Sequence, residues 1–251
     1  MVRQSRLALW FVGLAVALAG PAPAARAQIV FDFDTSHDGG FFTTAPTAAL
    51  AMNALQTAGN MLASRLGDTL TAITPGGGNT WTTNAFDPSN PNGPSIAVTD
   101  LSIPQNHIHV YVGGAALGGG GELGLGGPGG FGSSGFGNWN DTVAARGQTH
   151  ALDPTPTDFG PWGGSVSFSN TATWNFSTLT GPLPGQNDFL SVALHELGHL
   201  LGFGTADSFA ALATAGHTFT GPSSTALNGG VNPPLDSQNA HWAPGFSYLG
   251  Q

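Results

Sequence analysis

The sequence predicts an α+β domain whose strands and helices are joined by long glycine-rich connections. Three observations predict it. Short alternations of apolar and polar residues, the mark of half-buried strands, occur at residues 29–34, 107–113 and 163–169. Two stretches, 46–66 and 187–201, carry apolar residues at helical spacing. The rest is dense in glycine (39) and proline (18), yet 40% of the chain is hydrophobic, which separates it from a disordered polypeptide.

The first segment stands apart from the fold. Arg3 and Arg6 precede an apolar run, 7–20, that is short for a membrane span, and Ala25-Arg26-Ala27 forms a small-residue cleavage site. Residues 1–27 therefore read as a secretory signal peptide, which predicts an exported protein, extracellular or at the cell surface. No later stretch is long enough to span a bilayer. Residues 28–251 are expected to form one catalytic-type domain of 224 residues, enough for a real core. Removal of Arg3, Arg6 and Arg26 leaves two of the five basic residues against 14 acidic ones, a formal charge of −12. That balance excludes nucleic acid and anionic membrane surfaces as natural partners. The chain has no cysteine, so no disulfide staples it, and any zinc must be held by His or carboxylate.

In order, 29–34 reads as a strand whose Asp32 and Asp34 face solvent. Residues 46–66 read as a helix with Pro46 in the first turn, Leu55, Ala58, Leu62 and Leu66 on one face, and Gly67 as C-cap; Met52 and Met61 read as core filler. Residues 74–94 are turn-rich. Strands are expected at 95–103 and 107–113, where His107 and His109 share one face, read as a polar outer face over a metal site. The glycine run 113–137 holds no phosphate-loop or calcium-repeat pattern and is expected to be a long irregular surface loop bordering a site. Residues 138–158 are polar and turn-rich. The alternating 163–169 is expected to be an edge strand, 174–176 a short strand or turn, and 181–185 a break before the second helix.

That helix carries the chemistry. Asn187 or Asp188 can cap it, and Leu190, Leu194, Leu197 and Leu201 form a stripe expected to face the core. Beside the stripe runs His195-Glu196-Leu197-Gly198-His199, in which the two imidazoles lie one turn apart on one face. Two His so placed can bind one zinc ion, and the Glu between them can act on water at that ion. Gly202 and Gly204 should end the helix. A catalytic zinc takes three protein ligands, and the compact scheme would put the third His at position 205, which is Thr205. No Glu follows Glu196, so the candidates are His217, His241, Asp207 and Asp236, and spacing alone does not choose among them.

The run from Asp188 to Gly204 resembles the zinc helix of metzincin-type metallopeptidases. The later Phe219-Thr220-Gly221, Pro233-Pro234-Leu235 and His241-Trp242 resemble the leishmanolysin-like branch and related secreted bacterial proteins. The resemblance implies a zincin domain with a small twisted mixed sheet packed on two long helices. It also implies that 204–240 is an insertion and that His241 is the third zinc ligand beside His195 and His199. One departure is plain: the family has a methionine turn after the third His, whereas Met1, Met52 and Met61 are the only methionines here. Either the sequence stops before that turn or another residue takes its place; Tyr248 could approach the site but reads better as a surface residue.

The expected function is a secreted zinc endopeptidase acting on protein or peptide, with Glu196 activating the water and then passing its proton to the leaving amine. The 164–169 edge is expected to pair with the extended substrate. The alternatives are an inactive surface or matrix binding protein of the same fold, favoured by the glycine-rich middle, and a hydrolase of another amide or ester. Structural calcium has no ligand spacing to support it.

Overall fold

The computed structural model describes residues 28–118 and 121–247. Residues 1–27, where the sequence predicts a signal peptide, and Tyr248 lie outside them. In chain order the elements are β1 (Val30–Asp34), α1 (Ala48–Ala63), β2 (Thr80–Asn84), β3 (His107–Ala115), β4 (Gly124–Pro128), β5 (Gly130–Ser134) and α2 (Trp139–Ala145). They continue with β6 (Gly163–Ser169), β7 (Trp174–Asn175), β8 (Asn187–Asp188), α3 (Phe189–Leu200), α4 (Asp207–Ala210) and α5 (Pro222–Leu227). The fold is thus mixed α and β, built on a small mixed sheet.

The sheet has the order β1-β3-β6-β4, with the first three strands parallel and β4 antiparallel to β6. Strand alternation splits its side chains between two apolar clusters. Ile108, Val110 and Val112 of β3 and Val166 and Phe168 of β6 pack with α1 and α3. Helix α1 offers that layer a face of Ala51, Ala54, Leu55 and Ala58, all fully buried; the small side chains let the helix approach closely. Tyr111 belongs instead to a second cluster with Trp81, Trp139 and Trp162. Ser165 and Ser167 also point away from the helices, donating to the carbonyls of Phe86 and Pro88 at 2.6 Å.

Several expectations change. The 163–169 segment is a strand, but it lies between β3 and β4 and is buried along its whole length. The free edge on that side is β4. Both β4 and its successor β5, which pairs with β2, come from the glycine run read as an irregular loop. Glycine gives no alternation to read, and here the strands are fixed by backbone pairing and close approach. The 95–103 stretch forms only isolated bridges, through Ile96, Thr99 and Ile103. Residues 139–145 form α2, because Trp139 and Val143 are buried at helical spacing. Met61 is 47% exposed and is not core filler.

The polar face of β1 and β3 is not simply solvated. The parallel register sets Asp32 against His109, and the diagonal neighbours meet: His107 Nδ1 lies 2.8 Å from Asp32 and His109 Nε2 lies 3.2 Å from Asp34. The second contact is close enough for an ion pair but lacks hydrogen-bonding geometry, so the buried Nε2 has no hydrogen-bond partner. Burial lowers the His109 pKa below its ordinary 6.5, against the opposing pull of Asp34 and Asp32.

One residue ties the two layers together. Arg146 is fully buried, at the left-handed C-cap of α2. Its guanidinium donates to the carbonyls of Thr71 (2.9 Å), His107 (2.6 Å), Pro161 (3.1 Å) and Pro104 (3.2 Å). Burial lowers its pKa to about 10, so it stays charged at neutral pH. Its counter-charge is this ring of carbonyl dipoles, and a planar fork of five N–H groups suits that ring.

Arg146→Ala should cost roughly 3 kcal/mol of unfolding free energy, because several buried carbonyls lose their donor. Arg146→Lys should recover only a minor part; urea melts showing a loss below about 1 kcal/mol would contradict this role. For His109 the folded pKa lies below the unfolded value, so the unfolded chain takes up the proton first. Its contribution is complete above pH 6.5 and is lost as pH falls from there through the folded pKa. Denaturant melts of His109→Gln should therefore show a shallower loss of stability between pH 7 and 5 than the parent.

Candidate metal centre

Helix α3 is pinned before it starts. β8 pairs with β7, and the Asp188 side chain caps the helix by accepting the Ser191 N–H at 3.2 Å. Its buried face is Phe189, Ala193, Leu197 and Leu200, with Glu196 among them. Leu190, Leu194 and Leu201 are only partly buried, so the helix is turned from the expected leucine stripe. The aromatic cluster explains the turn: the Phe189 ring lies 4.5 Å from Phe168, 4.9 Å from Phe176 and 5.3 Å from Trp174. The same turn carries Glu196 inward to 6% exposure and leaves His195 exposed and His199 half-buried.

The helix ends as the glycines predict, with Gly202 and Gly204 at φ 103° and 71°. Gly204 has a second duty. A Cβ there would lie 2.1 Å from the Ala240 carbonyl oxygen, so its absence lets the returning chain lie against the turn one residue before His241. Thr205 is no ligand: its hydroxyl donates to the His199 carbonyl at 2.6 Å and caps the helix. The chain then makes α4 and α5 and returns.

The return brings three imidazoles together. His199 Nε2 lies 3.0 Å from His195 Nε2 and 2.9 Å from His241 Nε2. The rings of His195 and His241 are stacked, and His199 is edge-on to both. Among the described residues this is the one grouping of three or more His, Cys, Asp or Glu close enough to hold an ion. His217 lies elsewhere, its Nδ1 2.8 Å from Asn239 Oδ1. Asp236 stands behind His241, with its Oδ2 3.2 Å from Nδ1, and also accepts the N–H groups of Gln238 and Ala240. Burial raises the Asp236 pKa, but the hydrogen bonds from Ala240, His241 and Gln238 together outweigh it and hold the carboxyl below its ordinary value. Asp207, at the start of α4, is not in the group.

The donor chemistry fits a cation. His199 Nδ1 lies 2.7 Å from the Phe203 carbonyl oxygen, which can only accept, so Nδ1 carries the proton. His241 Nδ1 faces the Asp236 carboxylate and likewise carries one. In the neutral rings both Nε2 atoms then present lone pairs to each other at 2.9 Å. Burial lowers the pKa values of His195 and His199, with further lowering from the neighbouring imidazoles, so a proton is a poor bridge. A divalent ion accepts all three lone pairs, and three neutral imidazoles are a zinc-type donor set.

Glu196 sits between the two His of α3 in sequence and is buried. Burial, then the charge of Glu122, push its pKa up to about 7, opposed by the backbone N–H of Gly126. A cation at the triad acts in the opposite sense. Neither Glu122 nor Gly126 was marked by sequence reasoning, because a glycine run carries no side-chain pattern; the one signal was a lone Glu at its centre. Beside the triad is a cavity of about 280 Å³, lined by Leu194, Phe203, Phe209, Leu235 and Trp242.

Comparison with protein-family models, with curated proteins and with solved structures gave no match.

His241→Ala should abolish stoichiometric zinc uptake, measured by equilibrium dialysis and elemental analysis, while His217→Ala keeps it. Asp236→Ala should keep the site but weaken it about 10- to 100-fold. Zinc retained by His241→Ala and lost by His217→Ala would reverse the ligand assignment.

Proposed function

We propose that this protein is an exported zinc endopeptidase of metzincin type. The observation that carries the reading is the meeting of His195, His199 and His241 Nε2 atoms, 2.9–3.0 Å from His199, with Glu196 on the same helix beside them. His195, His199 and His241 would hold the ion, and the donor set leaves room for water or substrate. With zinc in place the site gains a Lewis acid for the scissile carbonyl and for water.

The remaining steps belong to side chains and backbone. Glu196, deprotonated, takes a proton from the attacking water at its carboxylate and later gives it to the leaving amine nitrogen. Asp236 fixes the His241 tautomer through Nδ1–H. β4 is the sheet edge next to α3, and an extended peptide can add to it as a further strand. Its odd-numbered residues face β6, as the Ser169 N–H to Leu123 carbonyl bond shows, so Gly124 offers its backbone groups, and Gly126 its carbonyl, to the free edge. This replaces 164–169 as the pairing edge. The apolar cavity beside the triad suits a hydrophobic side chain next to the scissile bond. Export rests on the 1–27 pattern, and among the described residues no helix is long and apolar enough to cross a membrane.

The zinc-loaded protein should cleave unfolded protein substrates such as casein. Glu196→Gln should lower kcat about 100- to 10,000-fold with zinc content unchanged. Full zinc loading without hydrolysis in the parent protein would instead favour the binding-protein reading.

A further inference from the structure

Where β4 meets α3, glycine makes the contact possible. A Cβ on Gly124 would lie 2.5 Å from Glu196 Oε1, 2.6 Å from its Cγ and 2.8 Å from its Cδ. A Cβ on Gly126 would lie 2.4 Å from the Glu196 carbonyl oxygen and 2.9 Å from its Cα. Real Cβ atoms do not come so close, and the second obstacle is helix backbone, which cannot swing aside. The two glycines share a strand face, since successive strand residues alternate. Gly127, which points the other way, has nothing within 4 Å of its Cβ position. The close approach is therefore specific to the face that meets Glu196. The Gly126 N–H favours the ionised carboxylate there, as expected of a backbone donor turned toward it.

We propose that Gly124 and Gly126 form the seat of Glu196: their bare Cα atoms let β4 lie directly on the Glu196 side chain and hold its carboxylate in one place. They are positioning residues, acting through Glu196. The catalytic part of this inference rests on the peptidase reading above, whereas the contact itself does not. A methyl group at 124 meets the Glu196 carboxylate first and pushes it aside. A methyl group at 126 lifts the strand from the helix. A glycine run read as a loose loop thereby becomes a fitted part of the site.

Two measurements test the seat in the full chain. Gly124→Ala should lower kcat about 100-fold, as a displacement near 1 Å does, with KM and zinc content unchanged. Gly132→Ala, on β5 with open space around its Cβ position, should leave kcat unchanged. In ¹⁵N-labelled protein, Glu196→Ala should shift the Gly126 amide resonance and speed its hydrogen exchange, while the Gly132 amide stays in place. Gly124→Ala turning over at the parental rate, or a Gly126 amide indifferent to Glu196→Ala, overturns the proposal. If the parent protein cleaves nothing, the peptidase reading fails and the amide measurement alone decides whether the seat exists. It also decides if Gly124→Ala does not fold.

Discussion

The constraint on which the structure turns is the meeting of three nitrogen lone pairs. Phe203 and Asp236 draw the Nδ1 protons of His199 and His241 outward, so the two Nε2 atoms meet with no proton to share. The rings of His199 and His241 are held from behind, the first by the Phe203 carbonyl at the end of α3 and the second by the Asp236 carboxylate. The two rings so oriented turn their Nε2 atoms to a shared point, which is what a cation held there would require.

Holding those rings requires a rigid floor, and the chain builds it without disulfides and with only two Arg or Lys residues after position 27. Arg146 donates to the carbonyls of Pro104 and Pro161, just before β3 and β6, and of His107, the first residue of β3. Those two strands carry Val110, Val112, Val166 and Phe168 into the layer beneath α3. Phe168 in turn meets Phe189 and sets the rotation of the helix. A chain of packing contacts therefore runs from a buried charge on one side of the sheet to the orientation of Glu196 on the other. Arg146 reaches α3 only through this packing.

What could be read from the sequence follows from what side chains advertise. The helix at 187–201, its cap, its glycine stop and the His195–His199 pair were legible because helical spacing and capping are local. β1, β3 and β6 were legible because they alternate. The third imidazole was not fixed by spacing, because 42 residues separate it from His199 and chain closure over that length costs little more than over half of it; resemblance pointed to His241, and the geometry brings it to the pair. β4 and β5 were invisible, since glycine has no side chain to alternate and their role lies in what is missing at Cβ. The leucine stripe misled for the opposite reason. Leucine marks an apolar face, but Phe189 and the rings around it form the tighter pack and decide which way the helix turns.

The position of His241 has a consequence for the insertion. Residues 205–240 contain only α4 and α5, of four and six residues, and leave Leu227 and Val231 well exposed. Their apolar support is a small set of rings, with Phe209 4.6 Å from Phe219 and Phe219 5.7 Å from Trp242. None of these belongs to either main core cluster. Residues 205–240 meet the body at several points, among them Gly204 against Ala240 and Thr205 on the His199 carbonyl. A cation held by His241 would draw on the order of this segment, so its affinity and that order would share one free energy. Asp236 sits where both meet, because one carboxylate closes the 236–240 turn and orients His241. The same return of the chain brings Leu235 and Trp242 to the cavity beside the three imidazoles, so cavity wall and His cluster share one turn.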